Sequence, residues 1–193
     1  MTEERTLVQK CKAGDPDALE ELYNRYAGQL LAVCVRYSGD RAASEDVLHD
    51  AFIKIYDGIG RFRYRGEGSL KAWMKRIAVN LQIDRLRASK TAPILERIDF
   101  QDNDHGSRVL PDEMSTEDFD ESELKGIPLE TLLEMIGSLT EPYRTVFNMF
   151  CLDGYSHKEI ADKLGISANV SSTQYFRARK MLAEMMGRYL KDK

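Results

Sequence analysis

A chain of 193 residues with 42% hydrophobic and 31% charged side chains can bury one medium core or two small ones. Its longest apolar run, Leu30 to Val35, is far too short to cross a bilayer, and Thr2, Glu3, Glu4 and Arg5 make no signal-peptide pattern. A cytoplasmic protein is therefore expected, with no direct membrane insertion.

The net charge of -4 hides a segregation that says more about partners than the total does. Residues 1–60 carry 7 basic and 11 acidic side chains, residues 61–88 carry 8 and 2, residues 89–128 carry 4 and 11, and residues 129–193 carry 9 and 8. The pattern is one acidic surface, one basic stretch and an acidic connector. Cys11, Cys34 and Cys151 are widely spaced without a C-x-x-C pair, and each reads as a small buried hydrophobe. His49, His105 and His157 are equally scattered, so neither a metal site nor a cofactor is expected.

In chain order, Leu7, Val8 and Cys11 sit at helical spacing before Gly14, and Asp15 with Pro16 opens a second helix as cap and first residue. That helix runs through Leu19, Leu22, Tyr23 and Tyr26 into the apolar run, until Ser38, Gly39 and Asp40 break it. A third helix follows from Arg41 to about Ile59. Its apolar side is Val47, Leu48, Ala51, Phe52 and Ile55; Asp46, Asp50 and Asp57 fall on another side around Ile53. An acidic band around an exposed aliphatic residue suits a protein contact, although such a band on its own is more often a solvated helix face.

Phe62 to Gly68 interrupts the helical pattern with two aromatic rings and two glycines, and with Arg63 and Arg65 beside Arg61. An exposed loop is expected, whose Phe62 and Tyr64 could stack on unpaired bases while the arginines hold phosphates; the alternative is that the two rings fold inward as core. Ser69 can cap the next helix, in which Leu70, Trp73, Met74, Ile77, Ala78 and Leu81 match the i, i+3, i+4, i+7 template. Its other side presents Arg76, Asn80 and Arg87, with Lys75 nearby.

Periodicity then disappears across residues 89–128, where acids, Pro93, Pro111, Gly106 and Gly126 dominate, so a flexible acidic linker between two domains is expected. Helical spacing returns with Leu129, Leu132, Leu133, Ile136 and Leu139, and Thr140 and Pro142 open a further helix carrying Val146, Phe147 and Phe150. The last pair of helices reads as a helix-turn-helix. Ser156 and Glu159 form a capping box, Ile160, Ala161 and Leu164 make an apolar stripe, Gly165 ends the first helix, Ile166 plugs the bend, and Ser167 caps the second helix. Ser171, Tyr175, Ala178 and Leu182 form that helix's buried face; Ser172, Thr173, Phe176, Arg177 and Lys180 lie opposite, able to meet base edges and phosphates in a major groove. An ordinary helical hairpin with solvated charges is the bland alternative.

These motifs in this order resemble a bacterial RNA polymerase sigma factor of the extracytoplasmic-function type, group IV of the sigma-70 family. Asp15 to Tyr26 looks like the start of sigma region 2, Ser44 to Lys54 like its polymerase-binding helix, and Ser156 to Leu182 like region 4. Gly68 to Arg87 is the most specific piece, with Trp73, Ile77, Ala78, Asn80, Asp84 and Arg87 in the family's places. The chain departs from the family's habit at His49 and Asp50, at Tyr56, and at the start of the last helix, where Val170 and Ser171 stand and Arg177 is the first arginine.

The resemblance implies an all-α fold of two helical domains, sigma region 2 over residues 1–88 and sigma region 4 over residues 129–193, joined by the acidic linker 89–128. It implies no enzymatic activity but a role in starting transcription. Asp46, Asp50, Ile53 and Asp57 would face the beta-prime clamp helices of core RNA polymerase. Arg61, Phe62, Arg63, Tyr64, Arg65, Arg76, Asn80 and Arg87 would bind the minus-ten promoter DNA, and Ser172, Thr173, Phe176, Arg177 and Lys180 the minus-thirty-five element. The beta flap of the polymerase and an anti-sigma factor are the further partners it implies. The competing reading is a helix-turn-helix regulator that binds an operator without polymerase; it has no need of the acidic helix or the arginine-rich loop. An enzyme acting on nucleic acid lacks a phosphate loop and a metal-ligand cluster.

Overall fold

The structure, a computed structural model, describes residues 2–88 and 126–192. The expected linker lies outside the described residues apart from its last three positions. The described chain is helical with no strand among the described residues, and it divides into two compact units, Met1–Arg85 and Leu86–Lys193.

In the first unit α1 spans Glu3–Lys12, α2 Pro16–Ser38 and α3 Arg41–Gly58, with a 3-10 turn at Ile59–Arg61; α4, Ser69–Ala88, starts in this unit and runs three residues past Arg85. Asp15 caps α2 as its sequence position demands, accepting from the amides of Asp17 and Ala18 at 3.0 and 3.3 Å. Asp40 caps α3 through the Ala42 amide at 3.0 Å. The apolar stripes of the four helices meet in one core built on Leu22, Leu30, Val47, Ile55, Leu70 and Met74.

The start of α4 departs from the expectation. Ser69 is the first helical residue, and its hydroxyl is turned back into the loop, donating to the Gly66 carbonyl at 2.6 Å and accepting from the Arg65 amide at 3.3 Å. The open amides are instead met from α1. Glu4 accepts from the Gly68 N–H at 2.9 Å with one carboxylate oxygen and from the Leu70 N–H at 3.2 Å with the other. A helix N-terminus favours an anion, and here the anion comes from another helix.

In the second unit α5 spans Leu129–Ser138, α6 Glu141–Phe147, α7 His157–Leu164 and α8 Ala168–Lys191. The buried Arg144 closes the end of α5, its guanidinium donating at 2.9 Å to the carbonyls of both Gly137 and Leu139; burial pulls its pKa below the usual arginine value. After α6 the helix widens into a π turn at Asn148–Leu152, which rotates the register and leaves Cys151 exposed, against the expectation of a buried thiol; Cys11 and Cys34 are buried as expected. The helix-turn-helix forms as written. Ser156 and Glu159 make both bonds of the capping box, Gly165 is left-handed at φ 72°, and Ser167 accepts from the Val170 amide at 3.1 Å. The second helix outruns its expected end at Leu182, continuing to Lys191 and burying Met186.

Candidate polymerase and nucleic-acid interfaces

At 3.6 residues per turn, Asp46, Asp50, Ile53 and Asp57 fall within an arc of about 60° on α3. Asp46 and Asp57 are exposed, and Ile53 is 48% exposed, a large aliphatic side chain held out beside acids. Asp50 is different. It pairs at 3.0 Å with Arg85 of α4, which also donates to the Ala43 carbonyl at 3.3 Å. Both side chains are nearly half exposed, so the pair adds little stability, but it orients the Asp50 carboxylate. No local spacing marks Arg85, whose partners lie 35 and 42 residues away.

Between the 3-10 turn and α4 the basic stretch lines a half-open cavity of about 410 Å³. Arg61, Arg63 and Arg65 reach it from the turn and loop and Arg76 from α4, around walls made by Phe62, Ser69, Ala72 and Trp73. All four arginines are exposed. A concave space ringed by guanidinium groups and floored by aromatic carbon can take a flat ring with phosphate attached. The two loop rings, expected to be available for stacking, are both committed. Phe62 takes the inward alternative: it is 7% exposed, joins the core, and lies 4.9 Å from the Trp73 ring. Burial of a ring beside an indole outweighs leaving it in water. Tyr64 is half-buried against the same core, its hydroxyl 2.8 Å from that of Thr2. Gly58, at the end of α3, makes room for Trp73, since a Cβ there would stand 3.1 Å from the indole. Asn80 is half-buried one turn beyond Arg76 on α4, and Arg87 is exposed two turns beyond Asn80.

On α8 the two faces separate as the spacing requires. Ser171, Ala178 and Leu182 are buried and Tyr175 is partly so; Gln174, unforeseen, is buried as well. Phe176 (49% exposed) and Lys180 project outward, with Ser172, Thr173 and Arg177 half-buried around them. His157 holds α7 to this helix. Its Nδ1 lies 3.0 Å from Ser171 Oγ, and its ring stacks on Phe150 at 4.2 Å and 9°, with Tyr175 against the other two rings. Burial lowers the His157 pKa, so the neutral imidazole is the form this stack favours.

Two family models match the chain: sigma-70 region 2 over residues 22–91 and sigma-70 region 4 over residues 129–182. The chain is 30% identical over 182 residues to an ECF RNA polymerase sigma-E factor of Haemophilus influenzae, covering 93% of each chain. The ECF sigma factor SigW of Bacillus subtilis matches at 30% with 93% of this chain and 94% of its own covered, and the sigma-E factor of Escherichia coli at 31% with 93% and 92%. The chain belongs to the ECF sigma factors of the sigma-70 family. As a sigma factor it serves promoter recognition and the initiation of transcription, with core RNA polymerase and promoter DNA as its partners. The region 2 match takes in most of α2, all of α3 and α4, and therefore the acidic band and the arginine cavity; it begins beyond α1. The region 4 match takes in α5 to Leu182 of α8. A polymerase-independent regulator gives no reason for the region 2 half. Among the described residues no helix is long and apolar enough to cross a membrane.

Proposed function

We propose that the roles divide as follows. Residues 1–88 serve as region 2, residues 129–193 as region 4, and residues 89–128 as an acidic connector. Asp46, Ile53 and Asp57 dock on the beta-prime clamp helices of the polymerase, with Asp50 presented through Arg85. Exposed carboxylates around an aliphatic centre suit a basic surface with an apolar pocket. The arginine cavity receives a base flipped from the minus-ten strand, with Trp73 as its aromatic wall in place of the buried Phe62, while Arg61, Arg63, Arg65 and Arg76 hold phosphates. Tyr64, Asn80 and Arg87 extend the same DNA-facing surface. Ser172, Thr173, Phe176, Arg177 and Lys180 read the minus-thirty-five element. The second unit also meets the beta flap, an anti-sigma factor masks these surfaces, the protein works in the cytoplasm, and it carries no catalytic group.

The observation that carries the minus-ten assignment is the cavity of about 410 Å³ ringed by four arginines. Extruding a base costs a few kcal/mol, recovered only where stacking and hydrogen-bonding groups await it. The test is permanganate reactivity of unpaired thymines on a cognate promoter with core polymerase. Asn80→Ala and Arg76→Ala are expected to reduce opening or shift minus-ten preference while upstream contacts persist. Wild-type opening with unchanged preference in both variants would remove the cavity from the mechanism.

A further inference from the structure

We propose that Glu4, on α1, is a positioning residue for minus-ten recognition: it sets the shape of the arginine cavity by gripping the start of α4. The inference rests on the minus-ten reading of that cavity. Glu4 is 8% exposed, whereas Glu3 and Arg5 on either side are exposed. A carboxylate leaves water only when other hydrogen bonds replace those it gives up. Here both oxygens are occupied by backbone amides 64 and 66 residues away, those of Gly68 and Leu70.

These two bonds act on the cavity from its hinge. The loop that ends at Gly68 carries Arg63 and Arg65, and the helix that begins at Ser69 carries Ala72, Trp73 and Arg76. The hydroxyl of Ser69 is spent on Gly66 and Arg65, so it does not cap the helix, and the distant carboxylate takes that role. Thr2 adds a second grip on the same loop through the Tyr64 hydroxyl at 2.8 Å. Both grips come from residues before the stretch matched by the region 2 model, 22–91. A recognition pocket loses discrimination when its walls shift by about 1 Å, and the residues that prevent the shift need not touch the ligand. The first helix thereby acts on promoter choice without contacting DNA.

The test uses the full-length protein with core polymerase on two promoter panels, one varied only in the minus-ten element and one only in the minus-thirty-five. Glu4→Ala is expected to flatten the minus-ten ranking by about fivefold, the order of one lost base contact, and to leave the minus-thirty-five ranking unchanged. Glu4→Gln keeps one acceptor oxygen but sets its NH₂ against an amide, and falls between wild type and Glu4→Ala. A cap with a structural role alone would lower output from every promoter by one factor and keep both rankings, which overturns the proposal. Where circular dichroism shows Glu4→Ala unfolded, Glu4→Gln and Thr2→Val carry the same comparison. Wild type that fails to open any promoter with core polymerase overturns the minus-ten reading and the inference with it. Wild type that opens promoters while the folded variants retain its minus-ten ranking overturns the inference alone.

Discussion

The arginine loop with α4 and the helix-turn-helix are both short turns leading into a long helix, yet they are held in opposite ways. The caps of the helix-turn-helix are local: Ser156 with Glu159 and Ser167 with Val170 are each three residues apart. Gly165 makes its turn through its own φ of 72°. The entry to α4 has its own serine, but that hydroxyl serves the loop, and the helix start is met by Glu4 from 64 and 66 residues away. A locally capped turn forms wherever its few residues are together; a remotely capped one exists only once α1 has packed. The capped starts of α7 and α8 are thus self-specified, whereas the start of α4, beside the arginine cavity, depends on the packing of α1.

Glu4→Ala, which strips two charge-assisted bonds from a helix start, should destabilise the Met1–Arg85 unit by about 2–3 kcal/mol. Hydrogen exchange on the full chain should show the loss of protection across residues 62–72 and α1 together. Confinement of the change to α1 would mean that the remote cap does not organise the loop. Arg177→Ala should cost about 1–3 kcal/mol of binding at one preferred base pair of the upstream element, with the rest of that element read as before. A loss spread evenly over all sequences in a footprinting series would place Arg177 on phosphate instead.

Smaller is the expected cost of Ser156→Ala, about 1 kcal/mol for a lost cap, with exchange rising only near residues 156–164. If the loss reached as far through region 4 as the Glu4 loss does through region 2, the contrast between local and remote capping would collapse.

The pH dependence sharpens the same contrast inside the helix-turn-helix. Burial holds the His157 pKa below its ordinary value near 6.5, so the unfolded chain binds a proton more readily than the folded one. Its contribution is therefore complete above about pH 6.5 and declines as the pH falls toward the folded value. Melting midpoints of wild type should drop over that window and those of His157→Phe should not. Glu159 contributes at lower pH: the Ser156 N–H and hydroxyl hold its carboxyl below its ordinary value of 4.5. That support is present above 4.5 and is lost as the pH falls through the lowered value.

The smallest stability effect is expected from Asp46→Lys with Asp57→Lys, within about 0.5 kcal/mol because both are exposed helix-face charges. Binding to core polymerase in a pull-down should nonetheless weaken. Native binding by the folded double variant would return the acidic band to the solvated face it resembles in sequence.

The all-helical class, the helix starts at Asp15, Arg41 and Ser156, the turn at Gly165 and the two faces of α8 were legible in sequence. Each is a relation between residues one to four apart, or a stripe repeating at 3.6 residues, and such relations hold before any tertiary contact exists. The acidic band on α3 was legible for the same reason. Tertiary packing decided that Phe62 turns inward onto Trp73, that Asp50 is held by Arg85, and that Ser69 serves the loop while Glu4 serves the helix. The Phe62–Trp73, Asp50–Arg85 and Glu4–Leu70 contacts join positions 11, 35 and 66 residues apart, where no local spacing marks the partner. A ring or carboxylate with two possible environments goes where the rest of the core leaves an apolar wall or a pair of amides without water.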